Sequence, residues 1–192
     1  MKRLNLIKKS ILFSLLLTVS TIFSQNKMMS SDTKMVGGAE MYPTKNIVEN
    51  AVNSKDHTTL VAAVKAADLL DVLMSDGPFT VFAPTNEAFA KLPEGTVETL
   101  LKPENKATLQ TVLKYHVVSG KYNAKDIIKL IKKGNGKAML NTVSGGTLVA
   151  WIKDKAVYIT DENGNSAMVI IADVNQSNGV IHVIDTVVLP KS

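Results

Sequence analysis

Cysteine is absent from all 192 residues. Its absence removes disulfides, thiolate metal ligands, a catalytic thiol and a lipid-bearing N-terminal cysteine. Arginine occurs only once, as Arg3, and aromatic residues make up 5% of the chain, with Trp151 the single tryptophan. The longest apolar stretch, Ile11 to Phe23, falls short of the roughly 20 residues that a membrane-spanning helix needs, so no transmembrane segment is expected. There is no G-x-S-x-G elbow, no phosphate-cradling G-x-x-x-x-G-K-[ST] and no G-x-G-x-x-G. Nucleophilic hydrolysis and nucleotide binding therefore have no motif to rest on.

What is present begins with a leader. Lys2, Arg3, Lys8 and Lys9 precede the apolar run ILFSLLLTVSTIF, the pattern of a secretory signal peptide over residues 1–24. An exported protein is expected, whether extracellular, cell-surface or periplasmic. Loss of that leader takes away four of the 22 basic side chains and none of the 17 acidic ones, leaving a net charge of +1. The high isoelectric point thus comes from the leader, and no nucleic-acid partner is expected. Residues 25–45, polar and dotted with Met28, Met29, Met35 and Met41, read as a flexible linker. No histidine or cysteine joins those methionines to suggest a soft-metal site.

The remaining 46–190 stretch reads as one domain. A short helix starts near Asn46. A longer one carries the stripe Leu60, Ala63, Val64, Ala67, Leu70 and Met74, stopping at Gly77-Pro78. Strand FTVFA follows, then a helix capped by Thr85 and another starting at Thr96. Pro103 suits the first turn of a helix whose inner face is Leu109, Val112, Leu113 and His116. After AKDIIKLIKK the character changes. AMLNTV, GTLVAWI, AVYIT, MVIIADV and GVIHVIDTVVL are rich in β-branched residues and are separated by GG, KDK, ENGN and QSNG turns. A helix-rich first half and a strand-rich second half predict an α+β fold.

Three segments carry a resemblance. TVFAPTNEAFAKLP at Thr80–Pro93, Tyr115-His116 within LKYHVVSGKY, and NGVIHVIDTVVLP at Asn178–Pro190 resemble, in order and spacing, the motifs of the fasciclin-like domain family. The resemblance runs from about Tyr42 to Pro190 and is similar to single-domain secreted bacterial members. It implies a wedge of β-strands with helices packed around it, and a role in adhesion or interaction without a common catalytic activity. The motif positions Thr85, Asn86, Tyr115, His116, Asn178, His182 and Asp185 read as structural. His116 is expected to pair with Thr85 or Asn86, and Asn178 to serve only as a turn residue before Gly179. Asp126-Ile127 is too short a match to carry over the integrin contacts of animal members.

The candidate binding surface is Trp151 with Lys132 and Lys133. On alternation, Leu148, Ala150 and Ile152 share one strand face and Val149 and Trp151 the other. Trp151 is then a platform if its face is outward and core if it is covered. Lys132 and Lys133 close a helix, where cations are favourable against the dipole. Histidines 57, 116 and 182 are too scattered for a metal site, and no cofactor is expected. The expected function is a noncatalytic adhesion or interaction module for a surface protein or an extracellular polysaccharide. The alternative is a carrier of a small hydrophobic, carotenoid-like ligand in an apolar groove, as some family members are. Oligomeric state is open.

Overall fold

The computed structural model describes residues 33–191. The expected signal peptide and the first part of the expected linker lie outside the described residues.

Lys34–Val36 (β1) and Ala39–Met41 (β2) pair as an antiparallel hairpin inside the stretch expected to be a flexible linker. Gly37 and Gly38 supply the turn at φ 58° and 76°, a region that residues with a Cβ avoid. A Cβ on Gly37 would also lie 2.2 Å from Ser54 Oγ. Val36 and Met41 turn inward and are buried. Strands of three residues are too short to show a period, which is why the hairpin was not visible as one.

Helices α1 (Ile47–Ala51), α2 (Thr58–Ala66) and α3 (Leu70–Met74) follow. Asn46 and Glu49 form a reciprocal capping box on α1. The long helix expected from Leu60 to Met74 is broken in two. Asp68 adopts φ 52°, and Asp68 N and Leu69 N bond back to Lys65 O and Val64 O. That is a Schellman stop, built on aspartate where glycine is usual. The break moves the buried position from Leu70 to Leu69 and leaves Met74 exposed.

Strand β3 (Phe79–Pro84) is followed by α4 (Asn86–Ala90) and α5 (Thr96–Leu100). Pro103 opens a separate 3-10 turn, Pro103–Asn105, ahead of α6 (Lys106–Tyr115). Strand β4 (Val117–Ser119) and helix α7 (Ala124–Lys133) lead into β5 (Lys137–Asn141), β6 (Thr147–Lys153), β7 (Ala156–Thr160), β8 (Ser166–Gln176) and β9 (Gly179–Ile184). All five expected C-terminal strands form. The seven-stranded sheet has the order β4-β3-β9-β8-β7-β6-β5, and a bridge between Val118 and Thr142 curls its two edges together.

The centre of that sheet is the parallel pair β3–β9, in register from Phe79 opposite Gly179 to Pro84 opposite Ile184. Parallel strands need both faces covered, and the alternation supplies two cores. Val81, Ala83, Ile181 and Val183 meet the hairpin and α1, α2 and α6 on one face. Phe82 and Ile184 face the other, with Tyr115, Ile127 and Ile131 and the inner side of β5–β8.

The hairpin is tied down by a buried polar residue. Asn50 accepts from Tyr42 N at 3.0 Å and donates to Tyr42 O at 2.8 Å, and its amide also meets buried Gln176. Replacing Asn50 with Ala leaves those groups unpaired and is expected to cost about 2–3 kcal/mol. The measurement is the urea midpoint, with limited proteolysis reporting faster cleavage within residues 33–42.

Candidate functional site

The three motif segments meet around the β3–β9 pair, and Thr85, Asn86, Tyr115, His116, Asn178, His182 and Asp185 are each engaged in hydrogen bonds. Thr85 Oγ1 caps α4 by accepting from Ala88 N at 3.2 Å. Asn86 reaches across to α2, where its Oδ1 accepts from Thr59 N at 3.0 Å and its Nδ2 donates to Lys55 O at 2.8 Å. The first-turn N–H of α2 is thus satisfied by a residue 27 positions later in the chain.

Tyr115 is fully buried; its hydroxyl donates to Thr147 O at 2.8 Å and accepts from Glu162 N at 3.2 Å. Burial pushes its ionisation up to about 12. Its ring fills the space beside Gly146, where a Cβ would come within 2.7 Å of it.

His116 ends α6 but does not pair with Thr85 or Asn86 as expected. Its ring turns back along its own helix, with Nδ1 2.8 Å from Val112 O, and Nε2 accepts from Val188 N at 3.3 Å. Both nitrogens are used only if Nδ1 carries the proton, which sets a neutral tautomer. Burial lowers its pKa to about 4.

Asn178 is also more than a turn residue. It is buried, accepts from Ile47 N at 3.1 Å, and donates to Leu73 O at 2.8 Å and Ser75 O at 3.0 Å. One side chain joins the start of α1 and the end of α3 to the start of β9. Its neighbour Gly179 packs directly on Phe79, where a Cβ would lie 2.2 Å from Phe79 O.

His182 stacks on Phe82 with ring centroids 5.6 Å apart. Its Nε2 donates to Tyr122 O at 2.8 Å, and its Nδ1 accepts from Asp173 N at 3.3 Å. Asp173 sits at φ 56° where β8 bulges, and its carboxylate accepts from Ala124 N at 2.6 Å at the start of α7. Burial pulls the His182 pKa down as well. Asp185 accepts from Met168 N at 2.8 Å and lies 3.5 Å from the Lys91 ammonium.

Other residues in this framework escaped the sequence reading. Buried Asp161 accepts from Asn163 N, Asn165 N and Leu189 N, holding the β7–β8 turn against the C-terminal segment. The D-x-N-x-N spacing at 161–165 was its signal. His57 is buried beside Ser54, with Nδ1 2.8 Å from Ser54 Oγ. Its Nε2 has no partner in hydrogen-bonding geometry although the Ala83 carbonyl is near, and burial lowers its pKa. Among the described residues no three His, Asp or Glu side chains converge as a metal site.

The remaining candidates lie elsewhere. Trp151 is half-buried on the outer side of the sheet, stacked on Tyr158 at 5.0 Å and 25°, with Nε1 donating to Thr160 Oγ1 at 2.8 Å. It is neither a free platform nor core. Lys132 and Lys133 are exposed at the end of α7. A partly open, almost wholly apolar cavity of about 80 Å³ lies between the hairpin, α1, α2 and β3, with His57 in its wall.

The fasciclin domain model matches residues 55–190. The chain belongs to the fasciclin domain family. Fasciclin domains are typically adhesion or interaction modules. The chain is 45% identical over 174 residues to Protein sll1483 of Synechocystis, covering 91% of this chain and 89% of that protein. It is 33% identical over 147 residues to the immunogenic protein MPB70 of Mycobacterium bovis, covering 74% of this chain and 67% of the relative. With human periostin the identity is 35% over 137 residues, which is 71% of this chain but 15% of periostin. The fold matches a FAS1 domain pair from the insect cell adhesion molecule Fasciclin I, with a TM-score of 0.69 at 21% identity. That match covers 77% of this chain and 52% of the pair, so this chain spans about half of it.

The buried histidines of this fasciclin domain make stability depend on pH. An unfolded histidine takes up a proton near pH 6.5, whereas folded His116 resists it down to about pH 4. Its contribution is complete above pH 6.5 and falls away as the pH drops toward 4, by about 3 kcal/mol in all. His57 and His182 are shifted in the same direction. His116→Ala should cost about 1–3 kcal/mol at pH 7. It should also flatten the acid loss, as read by urea unfolding at pH 7 and pH 5. An unchanged pH slope in the variant would rule out His116 as the source.

Proposed function

We propose that this chain is an exported, noncatalytic interaction module that holds a surface protein or an extracellular polysaccharide on the outer face of β5–β8. The supporting observation is an apolar face left open in a domain whose other sheet face is packed. Cross-strand register puts Met139 opposite Val149, Trp151 opposite Tyr158, and Tyr158 opposite Met168. Directly opposed residues project to the same side, so these side chains form one surface, continued along β8 by exposed Ile170. Met139 is 74% exposed. Met139 and Ile170 are exposed and Val149, Trp151, Tyr158 and Met168 half-buried, and contiguous apolar surface of this kind marks contact sites. The stacked Trp151–Tyr158 pair is a rigid anchor of the type that carries most of the affinity in an interface.

The motif residues support a noncatalytic reading through what they do. Thr85, Asn86, Tyr115, His116, Asn178 and His182 direct their polar atoms chiefly to the chain's own backbone, and Asp185 divides its carboxylate between Met168 N and the Lys91 ammonium. Family membership and the leader-like N-terminus support an exported adhesion role. No helix among the described residues is long and apolar enough to cross a membrane.

The carrier reading has one observation in its favour, the cavity beneath the hairpin. Its volume of about 80 Å³ is below the roughly 150 Å³ of an engineered cavity that takes up benzene.

The test is binding of the purified protein to surface fractions of its own cells. Trp151→Ala and Met139→Glu should each weaken binding about tenfold while leaving the circular dichroism spectrum unchanged. Full binding by both variants would remove this face from consideration.

A further inference from the structure

Charge is unevenly distributed along the described chain. Residues 106–160 hold ten lysines and two aspartates, whereas residues 35–105 hold five lysines and ten acidic side chains. Topology gathers part of the basic set. Helix α7 buries Ile127 and Ile131 and exposes Lys125, Lys129, Lys132 and Lys133. Its last turn is closed by bonds from Gly136 N to Ile131 O and from Lys137 N to Gly134 O, which bring the chain straight to Lys137 at the start of β5. Lys137 stands opposite Trp151, and Lys153 is two residues further along β6 on that same face. Lys155 lies in the following turn.

Lys132, Lys133, Lys137, Lys153 and Lys155 therefore collect where α7 ends and β6 turns into β7. All are exposed, and none takes part in the ion pairs found among the described residues, which involve Lys91, Lys106 and Lys129. Asp154 is the one acid within this group. Strand spacing and rise place Lys137 and Lys153 about 8 Å apart, inside the Debye length of about 10 Å at 0.1 M salt. Their fields add at a ligand.

We propose that this lysine-rich end, together with the adjoining Trp151–Tyr158 pair, binds an acidic extracellular polysaccharide whose sugars carry carboxylates. The inference rests on the interaction-module reading and names its partner class. Lysine is a mobile point charge suited to anionic groups spaced along a flexible chain, while the planar bidentate grip on an individual carboxylate or phosphate is the work of arginine. There is no arginine among the described residues. The apolar faces of sugar rings suit the aromatic pair, which lies on the same sheet face as Lys137 and Lys153.

The test uses the mature chain on immobilised polygalacturonate, on neutral dextran and on double-stranded DNA, at low and high salt. The protein should be retained on polygalacturonate at low salt and released as salt rises, and should pass through dextran unretained. The double variant Lys137→Glu/Lys153→Glu should weaken retention about tenfold or more. Trp151→Ala should weaken it without altering the salt dependence. DNA bound as tightly as the uronate polymer would overturn the assignment, as would full binding by the charge-reversed variant. Dextran binding that is lost in Trp151→Ala and kept in the lysine variant would sink this inference and leave the interaction-module reading standing. Failure to bind any surface fraction of the cells would sink both.

Discussion

The parallel pairing of β3 with β9 is the constraint on which the rest of the molecule depends. The two strands lie about a hundred residues apart in sequence, and five of the six residues of β3 and all six of β9 are buried. A parallel pair cannot be closed by a tight turn and cannot leave a face in water. Every element between the two strands is therefore either a cover for one of their faces or a strand of the sheet they organise. Alternation then separates the cores: Val81 and Ala83 belong with the helices, and Phe82 with α7 and the curled sheet.

Covering both faces brings loop ends and helix ends into dry surroundings, where an unpaired polar group costs about 1–3 kcal/mol. The motif side chains answer that problem. Asn178 supplies three bonds where α1, α3 and β9 meet, Asn86 caps α2 from the far side of β3, and His116 joins its own helix to the C-terminal segment. A histidine serves at that last position because one neutral ring both donates and accepts. The same dependence on a neutral ring makes the fold sensitive to acid. The bulge at Asp173 belongs to this scheme too, since it turns one residue so that its N–H meets His182 and its carboxylate meets α7.

Much of this was legible in the sequence, and the missing parts share a cause. The five C-terminal strands and their turns followed from β-branched runs punctuated by glycine and asparagine. The inner face of α6 followed from its helical period. The split of the second helix did not, because a Schellman stop on Asp68 looks like any exposed acidic residue in a helical pattern. The β1–β2 hairpin did not, because its burial depends on Asn50 and Gln176, which no local pattern connects. Asn178 read as a turn residue because only its neighbours in sequence were visible, and its partners lie 103, 105 and 131 positions away. Trp151 fell between the two alternatives considered for it, since stacking on Tyr158 covers one side of the ring and leaves the sheet face open.

The side chains that define the fold are thus committed to it, which restricts where recognition can occur. Thr85, His116, Asn178 and His182 are all buried and bonded, so a partner cannot address them without unfolding the domain. On the proposed reading, recognition falls to the surface, where the outer sheet face and the lysine-rich end act over different ranges. Exposed lysines attract over about a Debye length and lose effect with salt. The aromatic pair acts only on contact, through the area it removes from water, and is largely indifferent to salt. A single domain with both features side by side can gather a flexible, charged chain by the first and hold it by the second. It can do so without a preformed cleft and without changing any residue on which the β3–β9 core depends.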